Sequence, residues 1–199
     1  WRRAQPWPGR PTVDLLWANM VAHHAADPDA LLSAWHAAVA EHGVLFFSAL
    51  GSSSCQGLDA VSYAMGEPPP HHPYIDMHDW GDALLRAGFA EPVMDAQRLT
   101  LTYQSLDKLV ADLRAAGRNL HPARYPHCKG RGWFARWQQA LAQHLPRSAQ
   151  GHWQLDVEII YGHAWRPAPR GPGDRAQPVQ VSGRLGEKLS SQAPAGKLR

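Results

Sequence analysis

The side chains best placed to do chemistry follow two apolar runs. Asn19-Met20-Val21-Ala22-His23-His24 comes after the first, and Ser48-Ala49-Leu50-Gly51 closes the second. An Asn beside small apolar residues and then His offers polar anchors against an apolar wall, the lining a small organic ligand needs. The plainer reading is that Asn19 closes a turn. Other residue types invite other chemistry. Twelve histidines suggest a metal, yet His23-His24 and His71-His72 are adjacent pairs that point apart, and no His-Glu-x-x-His or Cys-x-x-Cys spacing occurs. Scattered histidines at the surface, or in a supporting place behind other polar groups, are the better account. Cys55 lies in a serine-rich loop as a possible nucleophile, with no activating base marked nearby. Gly51-Ser52-Ser53-Ser54 follows a strand as phosphate loops do, but lacks the Gly-Lys-Ser/Thr ending. Lys129-Gly130-Arg131-Gly132 could touch phosphate or simply be a basic turn.

These residues need elements to hold them. Val13 to Met20 is apolar on both faces and predicts a buried strand. Asp27-Pro28 starts a helix, with Asp27 as N-cap and Pro28 where its missing N–H costs nothing. Leu31, Leu32, Trp35 and Val39 share one face, and Gly43 is the expected stop. Val44 to Ala49 is a second apolar strand. Residues 13–49 therefore read as a βαβ unit with parallel strands, which require helices over both sheet faces. Residues 51–73 look loop-like, with room for a short helix. Asp76 to Ala87 predicts a helix closed by Gly88, Val93 to Tyr103 a long strand, and Ser105 a cap for a helix carrying Leu106, Leu109, Val110 and Leu113. Another helix carries Trp133, Phe134, Trp137 and Leu141. Trp153 to Trp165 alternates strictly and predicts a last strand, antiparallel to its neighbours, with its odd positions the richer face.

In the open α/β sheet this order predicts, ligands bind beyond the carboxyl ends of the strands. That principle selects the two segments above. It would also suit a nucleoside bearing a sulfonium.

Composition limits the possibilities. The 199 residues are 44% hydrophobic and 19% charged, which fits one globular domain with room for a core. No run of eighteen apolar residues occurs, which predicts no helical membrane span. Two cysteines, Cys55 and Cys128, suggest a reducing compartment such as the cytoplasm. There is no charged-then-apolar leader, so no secretory signal is expected, and a start at Trp1 suggests lost upstream residues or a piece of a longer frame. Charge is uneven. Residues 1–104 hold 5 Lys/Arg against 11 Asp/Glu, whereas residues 105–150 hold 8 against 2. Such a basic patch suits an acidic partner; a solvated helix face is the bland alternative. Beyond Pro167, Pro, Gly, Ser and charge dominate, and a disordered tail over 168–199 is expected.

Several segments carry a resemblance. Val13 to Met20 and Gly43 to Gly51 resemble the fourth and fifth strands of class I S-adenosylmethionine-dependent methyltransferases. Asp76-Met77-His78-Asp79-Trp80-Gly81-Asp82, Ala87 to Asp95, Arg118 to Arg124 and Tyr161-Gly162-His163-Ala164-Trp165 are similar to the malonyl-acyl-carrier-protein O-methyltransferase family of biotin synthesis. The resemblance covers about residues 12–167. Two departures stand out: no Gly-x-Gly-x-Gly follows any strand, and Ala40-Glu41-His42-Gly43 replaces the usual Arg-Pro-Gly-Gly turn.

The resemblance implies an α/β fold, the C-terminal part of a Rossmann-like methyltransferase sheet with a helical substrate-side insertion and a final antiparallel strand. Residues 1–12 would be an irregular remnant and 13–167 the methyltransferase portion. It implies S-adenosylmethionine as cofactor, with Asn19, Met20 and Val21 beside it, and acyl carrier protein in its malonyl form as partner. His23, Arg118, His121 and Arg124 would hold the substrate. No catalytic residue is assigned, and no metal, membrane or nucleic-acid partner is expected; oligomeric state stays open. A noncatalytic remnant or carrier-binding module is the alternative. A nucleic-acid binder using the basic block would instead lose affinity steeply with salt.

Overall fold

The first two apolar runs do form parallel neighbours, joined by a helix. Strand β1 spans Val13–Ala18, helix α1 Pro28–Ala38 and strand β2 Val39–Leu50, with β1 and β2 parallel. Asp27 caps α1 as its position predicts, its carboxylate accepting from the Ala30 N–H at 2.9 Å. The computed structural model describes residues 12–71, 73–117 and 129–169. Helix α2 (Gln56–Ala64) occupies part of the 51–73 segment, and α3 (Met77–Arg86) ends before Gly88, whose φ of +97° only glycine adopts easily. Strand β3 (Ala90–Tyr103), α4 (Leu106–Ala116), α5 (Arg131–His144) and β4 (Trp153–Trp165) complete the order. Ser105 caps α4 through Lys108 N. The four-stranded sheet runs β1-β2-β4-β3, with β4 antiparallel to both its neighbours.

Two cores form on opposite faces of this sheet. One gathers Leu32, Val39, Leu45, Phe47, Trp80, Leu84 and Ile160 beneath α1 and α3. The other joins Leu109, Leu141, Trp153 and Leu155 with residues of α2, α4 and α5. Gly162 belongs to the first face. A Cβ there would stand 2.7 Å from Phe47 Cζ, so glycine is what lets the Phe47 ring lie across β4.

Three expectations need correction. Gly43 does not stop α1; the helix ends at Ala38 and Gly43 lies buried inside β2. The cause is an irregular register, in which Val13 pairs with Val39 but Leu15 with Val44, and His42 takes a φ of +62°. A Cβ on Gly43 would sit 2.7 Å from Val39 Cγ1, so close packing selects the glycine rather than a helix end. β1 is not buried on both sides. It forms one edge of the sheet, and Trp17 is 76% exposed. Nor are the odd positions of β4 uniformly the buried set, because Ile160 and Ala164 are fully buried while Tyr161 and Trp165 are exposed.

The exposed residues share a pattern. Register places Trp17, Phe46, His163 and Val93 in one row across all four strands. Three of the four are exposed apolar residues, and Phe46 stacks on the His163 ring with centroids 5.1 Å apart. A parallel α/β sheet normally has both faces covered. Among the described elements, α2, α4 and α5 cover the end of that face nearest Trp153.

Candidate functional site

A cavity of about 790 Å3 opens where β1 and β2 end. Met20, His23 and Leu50 line it at those strand ends, Leu101, Leu155 and Val157 are sheet residues on its wall, and Phe134 and Trp137 belong to α5. The apolar floor has a simple origin: alternate residues of antiparallel β3 and β4 point the same way, and Leu101 pairs directly with Leu155.

The β1 end is held in a strained, hydrogen-bonded form. Ser48 Oγ donates to Asn19 Oδ1 at 2.7 Å and accepts from the Met20 N–H at 2.9 Å. Met20 takes a φ of +52°, a left-handed conformation that side-chain-bearing residues rarely adopt. Its side chain lines the cavity, whereas Val21 is exposed. So Asn19 does close a turn, and that turn aims Met20. His23 is buried, and its Nδ1 accepts from the Leu50 N–H at 3.3 Å. An acceptor at Nδ1 leaves the ring neutral with its hydrogen on Nε2.

Around His23 the structure assembles a cluster that sequence spacing did not reveal. Tyr74 meets the His23 ring edge-on at 5.9 Å and stacks on His71 at 4.3 Å. His71 Nε2 in turn stands 3.0 Å from Asp59 Oδ1. Burial raises the Asp59 carboxyl above its ordinary range, opposed by His71, and burial also holds the Tyr74 phenol strongly protonated. The one hint in the sequence was the density of rings in His71-His72-Pro73-Tyr74. Met20 and His23 thus line the cavity with residues from α2 and the loop after it, whereas Asn19 is exposed and bonds Ser48. Arg118, His121 and Arg124 lie outside the described residues. Among the described residues, no group of three or more His, Cys, Asp or Glu could hold a metal ion.

The other candidate loops have structural explanations. The Cys55 thiol is pushed up to about 11 by burial and by Asp59, so it is protonated at neutral pH and a poor nucleophile. Gly51-Ser52-Ser53-Ser54 is not a phosphate cradle, because β4 already fills it. The Ser53 N–H donates to the Glu158 carboxylate at 2.9 Å, and the Gly51 N–H donates to the Glu158 carbonyl at 2.9 Å. Ser54 Oγ both donates to that carbonyl and accepts from the Glu158 N–H, each at 3.0 Å. Ser54 is completely buried, so Ser54→Ala should strand the Glu158 N–H and cost about 1–3 kcal/mol in denaturant unfolding.

Much of the basic block is also engaged. Lys129 and Trp133 Nε1 both donate to the Glu67 carboxylate, tying the segment after α2 to the start of α5. Lys108 pairs with Asp112 at 2.6 Å, and Arg147 lies over the Trp153 ring at 3.5 Å. Arg114 lines the cavity and packs over Phe134, 5.3 Å from its centroid.

Comparison with known proteins supports the same picture. Residues 2–91 match the family model described as a methyltransferase domain. The chain is 36% identical over 161 residues to malonyl-[acyl-carrier protein] O-methyltransferase of Laribacter hongkongensis, which covers 80% of this chain and 53% of the relative. It is 34% identical to the protein of the same name from Gallionella capsiferriformans, over 86% of this chain and 58% of the relative. The chain thus spans little more than half the length of these curated relatives. Among solved structures, a Bacillus halodurans C-125 protein assigned as a methyltransferase superposes with a TM-score of 0.51 at 12% identity, covering 78% of this chain and 70% of its own. The YcgJ protein of Bacillus subtilis also gives 0.51, at 11% identity, covering 79% of this chain and 65% of its own. Those two likenesses concern the fold: an α/β architecture with a mixed sheet.

Proposed function

We propose that this chain, 36% and 34% identical over about four fifths of its length to two malonyl-[acyl-carrier protein] O-methyltransferases, forms the acceptor side of such an enzyme. The reaction is methylation of the carboxylate of a malonyl thioester carried by acyl carrier protein, in the biotin pathway, with S-adenosylmethionine as methyl donor. The observation that carries this reading is the apolar cavity at the carboxyl ends of β1 and β2, with the Met20 turn at its rim.

The residues present fit one wall of the cofactor site. Met20 and the rings of His23, His24 and Tyr74 offer the polarizable, aromatic surroundings that suit a sulfonium cation. S-adenosylmethionine, when bound, would supply an electrophilic methyl group for a carboxylate oxygen. The chain's residues have three tasks. They orient the acceptor, exclude water through the apolar wall of Leu101, Leu155, Val157 and Trp137, and steady the carboxylate without removing any proton. None need be removed, since a carboxylate is already ionised near neutral pH.

A longer parent protein supplies the other wall in this reading. Three observations support it: the open edge of β1, the uncovered row Trp17, Phe46 and Val93, and the fraction of the relatives' length that the chain spans. A contiguous apolar row of this kind normally faces a partner element.

The test is a reaction mixture of this chain, the upstream half of a relative such as the Laribacter protein, S-adenosylmethionine and malonyl carrier protein. Mass spectrometry should show the monomethyl ester on the carrier. Carrier binding without any ester would favour the noncatalytic module, and neither ester nor binding would overturn the reading.

A further inference from the structure

The cavity is larger than the reacting group needs. A malonyl unit is short, whereas about 790 Å3 is the volume that a drug-sized ligand fills. The extra space follows the sheet beyond the end of β2. Leu50 stands opposite Ile159, while β3 and β4 continue together until Leu101 meets Leu155. That is four residues farther along β4, about 13 Å at the rise of an antiparallel strand. Helix α4 packs at this outer end, with Leu109 and Val110 in one core with Tyr103, Trp153 and Leu155.

The lining here is apolar, and among the described residues it carries one Lys or Arg, which is Arg114. Arg114 follows Val110 by one turn of α4, so both can line the same cavity. Its guanidinium lies over the Phe134 ring, 5.3 Å from the centroid, a contact that steadies the ion. No carboxylate among the described residues pairs with it. Asp112 shares the lining but is bonded to Lys108 at 2.6 Å, and residues two apart on a helix do not face each other. Arg114 both lines the cavity and is exposed, which puts a held cation at its mouth.

Acyl carrier proteins present their cargo as a thioester at the end of a phosphopantetheine arm. The carrier is a folded domain and stays outside, so the phosphate that joins it to the arm also stays at the mouth. The arm behind it, mostly methylenes and two amides, crosses the apolar length. The free carboxylate travels to the inner end, where the Met20 turn stands. An exposed guanidinium suits the first anion, because its planar fork matches a phosphate. It suits the second poorly: a full cation on the carboxylate would stabilise the charged acceptor more than the transition state, where that charge is disappearing.

Resting on the acceptor-side reading above, we propose that Arg114, steadied by Phe134, binds the phosphate of the carrier's pantetheine arm, and that the apolar length between Arg114 and Met20 is the channel for that arm.

Calorimetry on the full chain with four thioesters separates the two anions. The ligands are S-butyryl-pantetheine, S-butyryl-4′-phosphopantetheine and their S-malonyl counterparts. The parent chain should bind each phosphorylated compound about fivefold to tenfold more tightly than its unphosphorylated partner, the size expected of charge-assisted hydrogen bonds at an exposed site. Arg114→Met should bring the phosphorylated compounds down to the affinity of the others, with circular dichroism and urea unfolding like the parent's. It should weaken butyryl carrier protein by the same factor. Arg147→Met removes an exposed cation outside the cavity lining and should keep the phosphate increment. The proposal is overturned if phosphate adds no affinity to the parent, if Arg114→Met keeps the increment, or if Arg147→Met also erases it. It is equally overturned if Arg114→Met instead removes the difference between malonyl and butyryl compounds, or weakens the carrier protein without weakening the free arm. An absent ester in the methylation mixture, with the phosphate increment intact, would remove the enzyme reading and leave this arm site standing.

Discussion

Trp80→Ala should remove about 3–5 kcal/mol of folding stability, the largest loss expected from any single side chain here. Trp80 is completely buried on α3 and is the largest of the fully buried side chains. It packs against Phe47 of β2 with ring centroids 5.3 Å apart. Phe47 in turn lies across Gly162 of β4, so one indole supports the contact between α3 and two central strands. Truncation would leave a cavity that the sheet cannot close, because strands held by ladder hydrogen bonds shift little. A domain of ordinary stability holds only about 5–15 kcal/mol, so the variant should be close to its unfolding threshold. The buried Trp80 Nε1 has no hydrogen-bond partner among the described residues. Trp80→Phe should therefore recover most of the loss, since it keeps the aromatic contact and removes a stranded donor. Urea unfolding followed by circular dichroism measures both. Equal losses for the two variants would show that size and shape, rather than burial of an aromatic ring, decide this site.

The sequence patterns that carried furthest were those set by local chemistry. Asp27-Pro28 and Ser105 marked helix starts that the structure reproduces with side-chain caps. The alternation from Trp153 to Trp165 gave β4 and its antiparallel placement, and the apolar runs gave the parallel β1–β2 pair. Features that depend on what lies opposite were less visible. Val39-Ala40-Glu41-His42 continues the helical pattern of α1, and only packing against Asp14 and β1 turns it into strand. The apolar faces of β1 announced burial, but a run of residues cannot say whether anything covers it. The site shows the same division. The Asn19 to His24 segment was found because strand ends attract ligands in such sheets. The adjacent histidines at 71 and 72 read as surface residues, since the contact with Asp59 is made across the gap between α2 and the loop behind it. Gly51 to Ser54 misled in the opposite direction. Its composition fits an anion loop, and Glu158 from a strand more than a hundred positions away occupies it.

A second large effect concerns the methyl donor. The Met20 turn gives a ligand one wall, with the Asn19 amide already committed to Ser48 and Val21 turned to solvent. Among the described residues β1 is an edge strand, with Trp17 exposed on it. A dinucleotide-sized or nucleoside ligand in an open sheet is gripped from both sides of the crevice, and chiefly by backbone N–H groups of a glycine-rich turn. In the proposed reading that half belongs to a longer protein, and without it most of the polar contacts are missing while the entropic cost of binding stays the same. Affinity should then fall by several orders of magnitude, out of the micromolar range into the millimolar range or weaker.

The most direct measurement is isothermal titration of S-adenosylmethionine into this chain by itself. A chain that forms the acceptor wall alone should give no saturable heat below about millimolar ligand, the regime where binding free energy falls under roughly 4 kcal/mol. A one-to-one isotherm with a micromolar Kd would contradict that account and show that these residues hold the methyl donor unaided.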